Sequence, residues 1–415
     1  MKALTADVAV VGGGPGGAAT AIYLARAGRD VVLFDKARFP RDKCCGDGLT
    51  TGALRRLDHL GLRPDAVPSW QPVSTVVARS VSGHTVTLPL PEGGTFAAIA
   101  RRMDLDAALL DVARAAGVKV YDGHAVTGAG LEDGGLVSLV VEGLGSVRSR
   151  YAIGADGMWS PLRKSLGVPD EPGYLGEWHA FRQYFVDVGP PAATQMWVWF
   201  EPDLIPGYAW SFPLPGGQAN VGFGIRRRAG HPTREMKQQW HELLDRPHVR
   251  DVLGPAARPD AAHKAWPIPA RVGSTELTAA KGRVLFVGDA ARATDSLTGE
   301  GIGQALETAA LAAQSILAAG SSHPEEAAAR YRRLVHAGLA ADDRLSRLLS
   351  RALAHRRGVR AAVALAGASE WSRRNFARWL LEDYPRAVLA TPHRWHRGML
   401  RGSGAWLKAD PGLKT

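Results

Sequence analysis

The sequence predicts an α/β protein. It has a Rossmann-type parallel sheet that is discontinuous in sequence, an antiparallel-sheet domain inserted into it, and a helical C-terminal segment. Three observations predict this. An apolar run at Val8–Val11 is followed by a glycine turn, an apolar helix pattern and a second strand ending in Asp35. Between residues 174 and 272 the chain turns rich in Trp, Tyr and Pro, with short strand-like stretches, before an apolar strand returns at Arg283–Val287. From Pro324 onward, apolar residues recur at helical spacing among arginines.

Val8, Ala9, Val10 and Val11 are apolar without alternation, as in a strand buried on both faces. Gly12, Gly13, Gly14, Pro15, Gly16 and Gly17 follow. Gly12 permits the tight turn, Gly14 lets backbone N–H groups approach a pyrophosphate, and Gly17 lets the next helix sit close on the strand. Pro15 opens that helix, and its N-terminus turns unpaired donors and the positive dipole end toward the phosphates. Asp35 lies 23 residues after Gly12, where an acid reaches ribose hydroxyls.

Phe39–Gly52 reads as a polar, glycine-containing loop. Ser74–Leu90 alternates as two strands around Ser82-Gly83. Arg102–Ala116 is helical by the spacing of Leu105, Ala108, Leu109 and Val112. Val118–Tyr121 is a strand, Ala125–Arg148 a meander turning at Glu132–Gly135, and Tyr151–Ala155 a short strand entering Asp156-Gly157. Gln195–Phe200 and Tyr208–Phe212 are strands of the inserted domain. A helix from Gly301 to Ala318 buries Ile302, Leu306, Ala309, Ala313 and Leu317. In the tail, Leu345, Leu348, Leu349 and Leu353 share a helix face, as do Phe376, Trp379 and Leu380 beside Arg373, Arg374 and Arg378, until Pro385 and Pro392 break the pattern. The expected division is 1–73 with 102–172 and 278–320 for the nucleotide domain, 74–101 with 173–277 for a substrate domain, and 321–415 for a basic helical segment.

A chain of 415 residues suits two or three domains. Its only cysteines, Cys44 and Cys45, are adjacent, giving neither a metal-ligand set nor a disulfide framework, so no metal and a reducing, cytoplasmic setting are expected. The first strand begins within a few residues of Met1, leaving no room for a signal peptide, and no apolar run is long enough to span a bilayer. The net charge is +11, and residues 324–415 hold 18 Lys plus Arg against 8 Asp plus Glu. This segment suits an anionic membrane surface, at the inner face of the membrane, or an acidic partner; solvated helix faces are the plainer alternative. Nucleic acid is excluded for want of a binding motif.

Three segments in order resemble the flavoprotein superfamily of para-hydroxybenzoate hydroxylase and the geranylgeranyl reductases: the glycine fingerprint, the Gly154-Ala155-Asp156-Gly157-Met158-Trp159-Ser160-Pro161-Leu162-Arg163 segment, and Gly288-Asp289-Ala290-Ala291 followed by Thr298-Gly299-Glu300-Gly301-Ile302. The resemblance implies an FAD-binding domain. It implies that Asp156, Gly157, Gly288, Gly299 and Glu300 contact the cofactor, with Lys36 and Val126 beside the nucleotide. Asp289 would accept hydrogen bonds from the ribitol, and the helix starting near Gly301 and Ile302 would aim its donors at the flavin pyrimidine. An arginine near the pyrophosphate is implied at Arg102, or at its neighbour Arg101.

Lys43-Cys44-Cys45-Gly46-Asp47-Gly48-Leu49 is similar to the KxCGDGL loop of geranylgeranyl reductases, which places Cys45 and Gly46 beside the flavin. Pro206-Gly207-Tyr208-Ala209-Trp210-Ser211-Phe212-Pro213, with Asn220-Val221-Gly222 downstream, is similar to their channel segment, with Tyr208, Trp210 and Phe212 lining an isoprenoid channel. The chain departs from the pattern at Arg292 and Ser296, where the relatives carry Gly and Pro. Arg292 is expected to place a cation near the flavin face, suited to a polar or anionic substrate group.

The function implied is FAD-dependent reduction of an isoprenoid C=C bond in a prenylated lipid or quinone. Cys45 either supplies the proton or packs under the ring. A single glycine fingerprint points to an external reductant, NAD(P)H or an electron-donor protein such as ferredoxin. A greasy substrate and Trp371, Trp379, Trp395 and Trp406 in the basic tail suggest peripheral membrane contact. The rivals are a flavin monooxygenase or hydroxylase of an aromatic or polyketide-like metabolite, less readily a halogenase, and a non-catalytic flavin-binding membrane-associated module.

Overall fold

In the computed structural model, residues 4–90, 94–168, 171–227 and 235–395 are described. The nucleotide-domain sheet runs Thr278–Ala279, Val284–Phe286, Gly145–Gly154, Leu4–Val11, Val31–Asp35, Lys119–Asp122. The pairings from Val284–Phe286 to Lys119–Asp122 are parallel, and Thr278–Ala279 is an antiparallel edge. Val8–Val11 pairs with Val31–Phe34 on one side and Tyr151–Gly154 on the other, and all four residues are buried, which is why the run does not alternate. Tyr151–Gly154 is the end of one ten-residue strand rather than a separate short one. The first half of that strand carries the meander hairpin Val126–Leu131 and Val137–Val141. Helices Pro15–Arg26, Arg102–Ala115 and Ile302–Ala319 supply the rest of this core.

The second sheet is antiparallel except where Met196–Trp199 runs parallel to Thr75–Arg79. One face packs on helices Met236–Leu244 and Pro247–Leu253 around Trp240, Phe181 and Phe223. The other face meets helices Arg356–Gly367 and Glu370–Leu380, with Val359, Val363 and Ala377 against Val76, Val86 and Leu88. The described residues after 320 divide between the two sheets. Helix Pro324–Ala337 joins the nucleotide core through Ala327, Tyr331 and Val335, and the Tyr331 hydroxyl donates to Phe286 O at 2.6 Å. Helix Leu339–Leu353 packs beside Val272–Ser274, with Ser346 and Ser350 donating to Asp295 and Ser296, and helices Arg356–Gly367 and Glu370–Leu380 roof the second sheet.

The stretch read as a loop to Gly52 ends at Asp47. Gly48–Thr50 is a strand that pairs with Ala97–Ile99, which also pairs with Gln71–Val73. Thr50 then caps helix Thr51–His59 by accepting from Ala53 N at 3.3 Å. Three residues are too few to display a period, and the strand exists only because its partner lies 47–51 positions away. Among the described residues no helix is long and apolar enough to cross a membrane.

Candidate active site

A cavity of about 1640 Å³ runs from the glycine loop to the C-terminal helices. Ligand pockets commonly hold ~300–1,000 Å³, so this one has room for a dinucleotide and a second ligand.

Its polar end is built by the first βαβ unit. Gly12 has φ +107°, and a Cβ on it would lie 2.2 Å from Ala155 O; one on Gly17 would lie 1.8 Å from Gly12 O. The tight turn at Gly12 and the close helix packing at Gly17 are both present. Asp35 accepts Gly13 N–H at 2.7 Å and Ala37 N–H at 2.8 Å, fixing its carboxylate at the strand end. A Cβ on Gly14 would lie 3.7 Å from a terminal guanidinium nitrogen of both Arg102 and Arg41. Arg102 forms a two-point contact with buried Asp106 at 2.8 and 2.7 Å, and Arg41 adds a bond to the same carboxylate at 2.9 Å. Two cations around one acid leave this end net positive, as a pyrophosphate requires. Arg101 turns elsewhere, over the Tyr184 ring at 4.5 Å and onto Gln218. Of the two candidates, Arg102 faces the cavity. The sequence reading missed Arg41, since a lone arginine in an aperiodic loop carries no signal.

Gly12, Gly14, Pro15, Gly16, Asp35, Lys36, Cys45, Gly46, Arg102, Val126, Asp156, Gly157, Gly288, Asp289, Gly299, Glu300, Gly301, Ile302, Tyr208, Trp210 and Phe212 all line this one cavity. Gly17 lies behind it as a packing glycine. Asp156 spends both oxygens on Ser160 Oγ (2.7 Å) and Leu162 N–H (2.9 Å), while Arg163 donates to Glu276 O and Ala290 O. That segment therefore braces two strand ends against each other. Asp289 lies 3.8 Å from Lys43 Nζ, whose ammonium stands 4.8 Å over the Trp266 ring; burial lowers the Lys43 pKa.

The Cys45–Gly46 loop passes directly against the aromatic strand. A Cβ on Gly46 would lie 3.4 Å from Phe212 and 3.7 Å from Trp210. Tyr208, Trp210 and Phe212 alternate along strand Tyr208–Leu214, so they share one face. Their neighbouring rings lie 6.0 and 5.9 Å apart. Cys45 Sγ accepts Asp47 N–H at 3.3 Å, and burial pushes its thiol up to about 11. Burial pushes neighbouring Cys44 up to about 12. Asp47 is fully buried at φ +65° and accepts from Tyr184 Oη at 2.6 Å and Asn220 Nδ2 at 2.8 Å; burial lifts its carboxyl to about 6. Tyr184 and Asn220 face each other across adjacent strands, a pairing that appears only once register is known.

At the start of helix Ile302–Ala319, Glu300 accepts Gly303 N–H. Glu382, from beyond the last long helix, accepts from Thr50 Oγ1 at 3.3 Å and Gln304 Nε2 at 3.0 Å. Burial and the proximity of Glu382 push Glu300 up to about 8. Arg292 departs from its expected place. It is buried at φ +53°, does not line the cavity, and stacks over Tyr174 at 4.0 Å. Burial and nearby Arg163 lower its pKa to about 10. Its side chain was read toward the flavin face, but the left-handed turn after Gly288–Ala291 carries it away.

Past Phe212 the cavity becomes apolar, running between Val76, Val86, Leu88 and Met196 of the sheet and Leu349, Val363 and Phe376 of the C-terminal helices. Leu365 and Trp371 line it while remaining 70% and 65% exposed, so it opens between those two helices.

This is the plan of a flavin oxidoreductase, and the profile of the family described as "FAD binding domain" matches residues 5–333. The chain belongs to that family of FAD-dependent oxidoreductases, in the branch that contains the geranylgeranyl reductases. It is 34% identical over 339 residues to a menaquinone reductase of Mycolicibacterium smegmatis, covering 76% of this chain and 77% of that one. It is also 34% identical over 314 residues to digeranylgeranylglycerophospholipid reductase 1 of Methanopyrus kandleri, covering 72% and 77%. A geranylgeranyl bacteriochlorophyll reductase-like structure from Thermoplasma acidophilum shares the fold with a TM-score of 0.77 at 22% identity, covering 94% of this chain and all of that one.

Proposed function

We propose that the protein reduces an isoprenoid C=C bond of a prenylated lipid or quinone. The observation that carries this is the single cavity with a cationic nucleotide end, an aromatic waist and an open apolar end. The residues fit FAD: the space that Cβ atoms on Gly12 and Gly17 would close is what brings strand and helix together, and Arg102 and Arg41 flank Gly14. Gly12, Gly14, Pro15, Gly16, Asp35, Lys36, Arg102 and Val126 would hold its adenosine diphosphate half. Gly46, Asp156, Gly157, Gly288, Asp289 and Gly299 to Ile302 would hold the remainder. When bound, FAD supplies the hydride.

The chain's own residues then have separable tasks. Tyr208, Trp210 and Phe212 wall the waist and exclude water from the reacting bond. Cys45, protonated at neutral pH because burial disfavours its thiolate, would give a proton to the second carbon. Its alternative role is packing, and Cys45→Ser with undiminished single-turnover kinetics would establish that instead. Residues 1–73, 102–172 and 278–320 serve the cofactor. Residues 74–101 and 173–277 serve the substrate, together with the roofing helices. The reductant is external, NAD(P)H or a ferredoxin-like protein.

Substrate capture takes place at a membrane surface. Leu348, Leu365, Trp371 and Trp395 are exposed, and so are Arg344, Arg351, Arg357 and Arg360 on the helices that carry Leu348 and Leu365. Trp379 is instead half-buried, its indole donating to Arg386 O at 3.1 Å, and Trp406 lies outside the described residues. The experiment is lipid and quinone mass spectrometry of cells with and without the protein. With every quinone head oxidised before analysis, a gain of two mass units per reduced bond supports the proposal, and a gain of sixteen overturns it in favour of hydroxylation.

A further inference from the structure

Two fully buried polar residues, Asp47 and Asn220, converge on Cys45. The Asp47 N–H donates to Cys45 Sγ at 3.3 Å, and the Asp47 carbonyl accepts Ala100 N–H at 2.9 Å. The first of these bonds occupies a lone pair of the sulfur and leaves the thiol hydrogen free for the cavity, which Cys45 lines. The Asp47 carboxylate receives three donors. Arg102 N–H reaches one oxygen at 3.2 Å, and Tyr184 Oη and Asn220 Nδ2 reach the other at 2.6 and 2.8 Å. A buried carboxylate is costly, but an Asn in its place would accept at one atom only, so three donors from two sides require the acid.

Asn220 is used as completely. Its Nδ2 also donates to Cys45 O at 2.9 Å, and its Oδ1 accepts from Trp210 Nε1 at 3.1 Å. Turned over, the amide would set its donors on the indole N–H and its oxygen on two acceptors, so its orientation is fixed. Sheet register supplies the placement, since Asn220 lies opposite Phe212 on one side and Tyr184 on the other. Neither Asn220 nor Tyr184 lines the cavity. They reach its contents only through Cys45, Asp47 and Trp210.

We propose that Asp47 and Asn220 are positioning residues of the reduction, which hold the Cys45 thiol and the Trp210 wall as one rigid unit, so that proton donor and double bond keep a fixed relation. Small misplacements of a reacting group are expensive, which gives such a unit its use. The inference rests on the proton-donor role given to Cys45 under Proposed function.

Two measurements on the holoenzyme test it. The first needs no turnover: alkylation of Cys45 by iodoacetamide at pH 9, read by peptide mass spectrometry. The Asp47 charge disfavours the neighbouring thiolate, so Asp47→Asn, which tolerates the same left-handed backbone at φ +65°, is expected to speed alkylation several-fold. Asn220→Ala does the same by releasing the loop. The second is anaerobic single turnover of a saturating prenylquinol. Each variant is expected to slow it about ten-fold, the equivalent of one lost hydrogen bond to a charged group, with substrate affinity kept. On a Cys45→Ala background neither variant slows it further. Alkylation at the wild-type rate in folded variants overturns the proposal. So does a loss of rate that recurs in full on Cys45→Ala, which is what a merely structural role gives. Should Asp47→Asn fail to fold, Tyr184→Phe removes one donor from the same carboxylate and is held to the same outcomes. Full-rate turnover by Cys45→Ala defeats the proton-donor reading, and the proposal with it; a slow Cys45→Ala beside full-rate Asp47→Asn and Asn220→Ala defeats the proposal alone.

Discussion

A methyl group on Gly17 would sit 1.8 Å from a backbone oxygen, and backbone cannot step aside as a flexible side chain can. Gly17→Ala must separate the first helix from the first strand, costing about 1–3 kcal/mol or more by overpacking. The expected product is colourless protein with a lowered melting temperature; a yellow protein of unchanged stability would refute the close packing. Cys45 makes an independent test. With its thiol near 11 and Cys44 near 12, both should resist iodoacetamide at pH 7.5 well below the rate of a free cysteine, whose pKa is ~8.5. Alkylation of Cys45 at the free-thiol rate, read by mass spectrometry, would contradict its raised thiol pKa. The sequence made both residues legible, since the fingerprint spacing and the CGDGL loop are local signals. It misled at Arg292, where the backbone turn decides the direction of the side chain.

Between elements, the informative groups are acids carried together from distant parts of the chain. Glu300 precedes the long helix, and Glu382 follows the last one. A carboxyl raised from the ordinary 4.5 to about 8 adds stability below 4.5, and that contribution is lost as pH rises through 8. Asp47 and Asp343, each at about 6, act with the same sign at lower pH. Urea unfolding of the apoprotein should therefore show stability falling from pH 5 to pH 8.5. Glu300→Gln should flatten that fall, and an unchanged slope would show that Glu300 is not buried beside Glu382. Elements with a period were legible in the sequence: the apolar strands, the helix after Gly301, and the hairpin around Ser82-Gly83. Gly48–Thr50 was not, because a three-residue strand is defined by its partner. The Tyr184–Asn220–Asp47 cluster and Arg41 were not, because register and loop path create them.

Over the whole molecule, the C-terminal helices connect cofactor end, substrate end and surface. Periodicity alone puts Leu345, Leu348 and Leu349 on one helix face, yet Leu345 and Leu349 line a cavity and Leu348 is 59% exposed. That arrangement suits a chain entering from lipid. Flotation with liposomes should require anionic lipid and weaken with salt, since the arginines near the mouth are exposed. Flotation independent of lipid charge would contradict membrane docking through this face. The sequence carried the apolar stripes and the charge excess; which stripe closes a core and which roofs a tunnel depends on the sheet beneath.

The central claim is that one cavity brings a reduced flavin to a prenyl double bond. The most direct measurement is an anaerobic single turnover, in which the photoreduced holoenzyme is mixed with a prenylquinol, whose head cannot take up the electrons, while flavin absorbance and product mass are followed together. The account predicts one flavin reoxidised for each bond gaining two mass units. Flavin that stays reduced until oxygen is admitted, with product heavier by sixteen or no product at all, would contradict it.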